Sequence, residues 1–163
     1  MDIKQPFNLF QWIEKNRHLL KPPVGNKNLY VEAGDYIVMI VAGPNARKDY
    51  HYNETPEFFH QIEGDMVLKV IEDGKPKDIH IREGEIFVLP PKVPHSPQRS
   101  ANTVGLVIEY PRPEGVMDKL QWYSDEDTSL IYEEEFMLDN IETDMPAIFD
   151  RYNDMVKKGA FKK

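Results

Sequence analysis

A chain of 163 residues, 40% hydrophobic and 29% charged, carries enough apolar material for one globular domain with a sizeable core. Its formal net charge of -8 argues against a nucleic-acid partner, because phosphate binding needs a cationic face, and no apolar run approaches the roughly 20 residues of a membrane span. There is no cysteine, which excludes disulfides, thiolate zinc sites, iron–sulfur clusters and cysteine nucleophiles, so any metal must be held by histidine, carboxylate or water.

The start, Met1-Asp2-Ile3-Lys4-Gln5, has no signal-peptide pattern, and the simplest expected location is the cytoplasm. Residues 7–20 read as a helix that Asn8 can cap, with Phe10, Ile13 and Leu20 near one face and Trp12 and Leu19 flanking. Lys21-Pro22-Pro23-Val24-Gly25-Asn26 breaks it, since consecutive prolines remove backbone donors; the segment is either a connector or a rigid arm over a pocket mouth. From Leu29 onward the pattern is β, and Tyr36 to Ala42 is a mostly β-branched apolar run that suits a buried strand. Glu57–Ile62 and Met66–Ile71 read as a strand pair turned at Gly64-Asp65, and Asp73-Gly74 is a strong hairpin turn. Short strands follow at Asp78–Arg82, Glu85–Pro90 and Thr103–Tyr110. Six or seven short strands turned by Gly, Pro and Asp predict a mostly β sandwich or barrel in a single domain, with the barrel core over about 29–112. The extension over 113–163 is acid-rich; Asp125-Glu126-Asp127 and Glu133-Glu134-Glu135 read as solvated surface. A C-terminal helix is expected from Thr143-Asp144-Met145-Pro146, packing through Ile148, Tyr152 and Met155, with Gly159 to Lys163 as a frayed tail.

Of the five histidines, His18 and His80 read as surface or edge residues. His51 and His95 each sit beside a strand where the chain bends, and Glu57 lies close after His51. Two histidines and one carboxylate are the ligand set that leaves open positions on a non-haem Fe(II), although the same donors also hold Zn, Ni, Co or Mn. The spacing His51-x-Asn53, three residues, Glu57, six residues, Gly64 resembles the first motif of the cupins, which are small β-barrels of jelly-roll type. Gly84, five residues, Pro90 and then His95 resembles the second. Asn53 replaces a usual second histidine, Lys92 a common glycine and Arg99 a common asparagine, which leaves three protein ligands.

A sharper resemblance spans about residues 6–152. Gly43-Pro44-Asn45, Asp49-Tyr50-His51, Glu57-Phe58-Phe59, Leu89-Pro90-Pro91, Pro94-His95-Ser96-Pro97-Gln98-Arg99 and Trp122-Tyr123 are similar to the 3-hydroxyanthranilate 3,4-dioxygenase family. That resemblance implies an Fe(II)-dependent, extradiol-type ring cleavage of 3-hydroxyanthranilate by O₂, with one iron per chain held by His51, Glu57 and His95. It further implies Arg99 as the partner of the substrate carboxylate, Glu109 near the ring hydroxyl and amine, Arg47 near the oxygen-binding side, and Asn26 and Val24 as pocket-lining residues. The alternative for Arg47 and Glu109 is a surface ion pair. It implies a homodimer as well. Many bacterial relatives carry a second, rubredoxin-like iron site after the barrel; here Ser124 and Asp127 stand where its first cysteine pair would fall, so that site is expected to be absent. Rival expectations are another metal-dependent cupin enzyme, a non-catalytic binding module, or a structural barrel whose histidines are ordinary core polar groups.

Overall fold

A computed structural model describes residues 3–21, 25–31 and 35–161. Helix α1 (Leu9–Asn16) begins where the Asn8 side chain accepts from the Gln11 amide at 2.9 Å, and it runs on into a 3₁₀ turn over Arg17–Leu19. Leu9, Trp12, Ile13 and Leu20 form its packed stripe. Phe10 departs from the expected face and is exposed: with the stripe centred on the Leu9–Ile13 pair, the residue after Leu9 is turned about 100° round the axis toward solvent. Leu19 is exposed as well.

The described residues form eleven strands. These are β1 (Asn26–Asn28), β2 (Ile37–Ala42), β3 (Tyr50–Tyr52), β4 (Glu57–Glu63), β5 (Met66–Glu72), β6 (Lys75–Ile81), β7 (Ile86–Leu89), β8 (His95–Arg99), β9 (Val104–Glu109), β10 (Asp118–Tyr123) and β11 (Leu130–Phe136). A five-stranded sheet has the order β1-β2-β9-β4-β7 and a six-stranded sheet the order β11-β10-β3-β8-β5-β6, every pairing antiparallel. Met39, Phe59, Leu89 and Val107 of the first sheet meet Met66, Leu68, Val70 and Ile81 of the second in one core. This is the mostly β, jelly-roll-like arrangement expected from the sequence, with a helix at either end.

Three expectations are corrected. β4 and β5 do not pair with each other: Gly64, at φ +66°, and Asp65 carry the chain from one sheet to the other, so β4 joins β7 and β9 while β5 joins β6 and β8. The turn at Asp73-Gly74 does close a hairpin, β5–β6, with both residues at positive φ. Second, the acid-rich extension holds β10 and β11. Glu133 and Glu134 are half-buried, neutralised by Lys119 at 3.3 Å and by Arg151. A strand face tolerates such acids when basic partners stand opposite. Third, Phe161 is not frayed: its ring lies 5.5 Å from Tyr152 and 5.7 Å from Tyr132. Helix α2 (Asp144–Lys157) starts at the predicted point and buries Met145 and Ile148, with Ile148 packing against Leu120 and Trp122 of β10. No helix among the described residues is long and apolar enough to cross a membrane.

Candidate functional site

The two sheets bring the predicted residues together by register. In the six-stranded sheet His51 of β3 stands directly opposite His95 of β8, and in the five-stranded sheet Glu57 of β4 stands opposite Glu109 of β9. Because side chains alternate across a strand, His95, Pro97 and Arg99 of β8 share one face, and it is the inner one. Asn26, Arg47, His51, Glu57, His95, Arg99 and Glu109 all line one cavity of about 60 Å³ between the sheets. Val24 lies outside the described residues. A wider depression of about 330 Å³, beside Asp65, His80 and Arg82, is lined by none of His51, Glu57 and His95.

His51, Glu57 and His95 are buried and offer donor atoms that all lie within 4.8 Å of one another, so they could hold a metal ion. Their hydrogen bonds set the donors. The Nδ1–H of His95 donates to the Val93 carbonyl at 2.8 Å, which leaves Nε2 facing the cavity, 3.0 Å from Glu57 Oε1. The His51 Nε2 lies 2.6 Å from Asp118 Oδ2, and Nδ1 faces Glu57 Oε1 at 3.7 Å. A carboxylate only accepts, so Nε2 carries the proton and the lone pair of Nδ1 points inward. Asn53, in the position of the usual cupin histidine, donates to Glu57 Oε1 at 2.9 Å and so orients that carboxylate. A buried, convergent set of two imidazoles and one carboxylate suits a divalent transition metal.

The electrostatics follow from burial. Desolvation works against the charge of Glu57, but the flanking His95 and His51 outweigh it and hold the carboxyl below its usual range. For His95 the same pairing overcomes desolvation and raises its proton affinity, whereas burial dominates at His51 and lowers it. Burial, with Glu57 across the ladder, pushes the Glu109 carboxyl up against the pull of Arg112. Arg99 is brought down to about 10 by burial first and by Arg47 next. The Arg99 guanidinium is 3% exposed, donates through Nη1 to Gln61 Oε1 at 3.2 Å, and keeps Nε without a partner.

Arg47 and Glu109 are inside the fold rather than in surface pairs. Asp49 takes two hydrogen bonds from Arg47, at 3.1 and 2.5 Å, and the Phe149 ring of α2 lies 5.4 Å from that guanidinium. Glu109 receives Arg112 Nη1 at 2.9 Å. Lys27 and the Asn28 amide reach Glu142 beside α2, fixing the strand that carries Asn26 to the C-terminal extension. His18 and His80 are exposed, as expected. Arg112 and Asp118 escaped the sequence reading because they sit outside the motif spacing and only the folded chain brings them to the site; Gln61 lies within the first motif, on the same strand as Glu57, but at a position that the motif does not specify.

The family model for 3-hydroxyanthranilic acid dioxygenase matches residues 1–153. The chain belongs to this family. It is 58% identical over 147 residues to the 3-hydroxyanthranilate 3,4-dioxygenase of Xanthomonas campestris pv. campestris (strain B100), covering 90% of this chain and 82% of that protein. It is 49% identical over 159 residues to the enzyme of the same name from Yarrowia lipolytica, covering 96% of this chain and 92% of the relative. A 52% identity over 143 residues links it to the one from Lodderomyces elongisporus, covering 88% and 81%. As a member of this family the chain is a dioxygenase, an oxidoreductase with a possible His–Glu–His metal site.

Proposed function

We propose that this chain opens the ring of 3-hydroxyanthranilate with O₂ as an Fe(II)-dependent extradiol-type dioxygenase. The product is then 2-amino-3-carboxymuconate semialdehyde, on the kynurenine route from tryptophan to quinolinate and NAD. Arg99 carries this reading. It is a buried guanidinium bonded to Gln61, with an orphan Nε, in the same cavity as the His–Glu–His cluster. A buried cation so placed is costly, and the carboxylate of an anionic aromatic ligand relieves it.

His51, Glu57 and His95 hold the iron in this reading, and Fe(II) bound there supplies the redox chemistry that lets O₂ react with the ring. Arg99 clamps the substrate carboxylate through parallel N–H···O bonds, which fixes the ring's position and plane. Glu109 accepts the hydroxyl proton, because a phenolate gives up electron density far more readily than a phenol. Arg47, held by Asp49, stabilises negative charge developing on oxygen. Asn26 completes the pocket wall. The whole chain acts as one cytoplasmic domain with one iron and no second, rubredoxin-like site, and pairs as a homodimer. Support for pairing comes from the outer face of the five-stranded sheet, where Ile86 and Val88 are 66% and 56% exposed.

The test mixes protein loaded anaerobically with Fe(II), 3-hydroxyanthranilate and air, and follows the product's absorbance band with His95→Ala as control. An iron-dependent band that decays to quinolinate, absent in the variant, is expected. Tight substrate binding without turnover would instead point to a different ring-cleavage substrate, and neither binding nor turnover would end this reading.

A further inference from the structure

We propose that Asp118 and Arg112 are positioning residues of the metal site, a relay that locks the His51 ring from behind and ties it to Glu109. The inference rests on the reading of His51 as a metal ligand.

Asp118 opens β10, whose next residues pair with β3: Lys119 stands opposite Tyr52 and Leu120 opposite His51. Its carboxylate is 0% exposed and reaches His51 Nε2 at 2.6 Å. Such a bond selects the tautomer and fixes the ring's rotation, so the unprotonated nitrogen faces the cavity. The carboxylate is itself fixed. Arg112 Nε donates to Oδ1 and Nη2 to Oδ2, both at 2.7 Å, a bidentate fork whose geometry a lysine does not reproduce. The third nitrogen, Nη1, turns to the other side of the site. It donates to Glu109 Oε2 at 2.9 Å, to the Tyr110 carbonyl at 2.9 Å and to Thr55 Oγ1 at 3.2 Å.

One guanidinium therefore joins the carboxylate behind a metal ligand to the carboxylate on the substrate side. Neither group needs to touch metal or substrate to act. A displaced Asp118 frees the ring of His51 to rotate or change tautomer, and a displaced Arg112 loosens His51 and Glu109 together.

The test compares Asp118→Asn and Arg112→Lys with the unaltered protein and with Ile81→Val, which trims the core at a residue that does not line the cavity. In Asp118→Asn an amide nitrogen must take the place of Oδ1 or Oδ2. Either one then faces an Arg112 N–H, so donor meets donor and the clamp is lost. Anaerobic Co(II) titration, at a temperature where circular dichroism reports every variant folded, is expected to show affinity about 10–100-fold weaker in Asp118→Asn. Arg112→Lys is expected to weaken both Co(II) and substrate binding, and Ile81→Val to change the melting temperature alone. Nitrogen NMR of the metal-free, unaltered protein is expected to find the proton of His51 on Nε2, a readout that does not depend on any variant folding. Unaltered Co(II) affinity in folded Asp118→Asn, or a His51 proton on Nδ1, overturns the relay while leaving the metal site standing. Failure of the unaltered protein to bind Co(II) or Fe(II) removes the metal reading itself, and the relay with it.

Discussion

At the residue scale, the difference between what the sequence made legible and what it hid is a difference in distance along the chain. His51 and Glu57 lie close together, and His95 follows at the end of a proline-rich segment, so the cluster the three form was readable from spacing. Asn53 stood out as a departure from the cupin pattern, but its work, a hydrogen bond to Glu57 at 2.9 Å, needed the folded chain. Lys92 was unexplained by sequence. It adopts φ +64° in the turn before β8, which accounts for the glycine common there, and its amide donates to the Asn53 carbonyl at 2.8 Å. Arg99 supports the sharpest prediction at this scale. Lysine keeps the charge but loses the planar fork, so Arg99→Lys is expected to raise the KM for 3-hydroxyanthranilate by about 10–100-fold, the worth of a charge-assisted hydrogen bond. Co(II) affinity should stay unchanged, because Arg99 is not among the cluster's donors. Equal KM values for the two proteins would remove Arg99 from substrate recognition.

At the scale of elements, the strands were legible as strands but their partners were not. Hydrophobic alternation says which residues share a face of β4; it does not say whether the chain after Gly64-Asp65 folds back beside β4 or crosses to the opposite sheet. It crosses, and that crossing sets Glu57 and His95 on facing inner surfaces. β10 and β11 were hidden for another reason: the acids of β11 are offset by Lys119 on the neighbouring β10 and by Arg151 of α2, partners that only folding brings beside them. On β9 the local choice of residue is tied to the site. A Cβ added to Gly105 would stand 2.7 Å from Arg99 Nη1 and 2.8 Å from Gln61 Oε1, so the strand is bare where that guanidinium crosses it. Both neighbours are the far ends of flexible side chains, so the strand itself need not yield. Gly105→Ala is therefore expected to leave a folded, metal-binding protein whose Arg99 is displaced and whose KM rises at least several-fold. A crystal structure of the variant checks the displacement; Arg99 found in its original position, with KM unchanged, would break the link between strand and pocket.

At the scale of the whole molecule, the same alternation that turns Glu57 and Phe59 inward turns Phe58 and His60 outward. Across the five-stranded sheet, register sets Val38, Ile108, Phe58 and Val88 side by side on that outer face. Helix α1 covers one end of it, packing on Ile40 and Leu106. The other end is bare: Val88 and Ile86 are largely exposed, and Tyr36 and Tyr110 stand together, ring centres 5.4 Å apart and each about half exposed. A flat apolar sheet face of this kind suits burial against a second copy, and it lies on the opposite side of the sheet from the cavity, so pairing and chemistry are separable. Light scattering of the unaltered chain is expected to give twice 19.1 kDa, and Val88→Lys, which sets an ammonium on the bare patch, to give 19.1 kDa. Since Val88 points away from Glu57 and Leu89 inward, the monomeric variant should still bind Co(II) with the affinity of the dimer. A dimer that survives Val88→Lys would move the interface to another surface, and a monomeric unaltered protein at micromolar concentration would remove the pairing from the proposed function without touching the site.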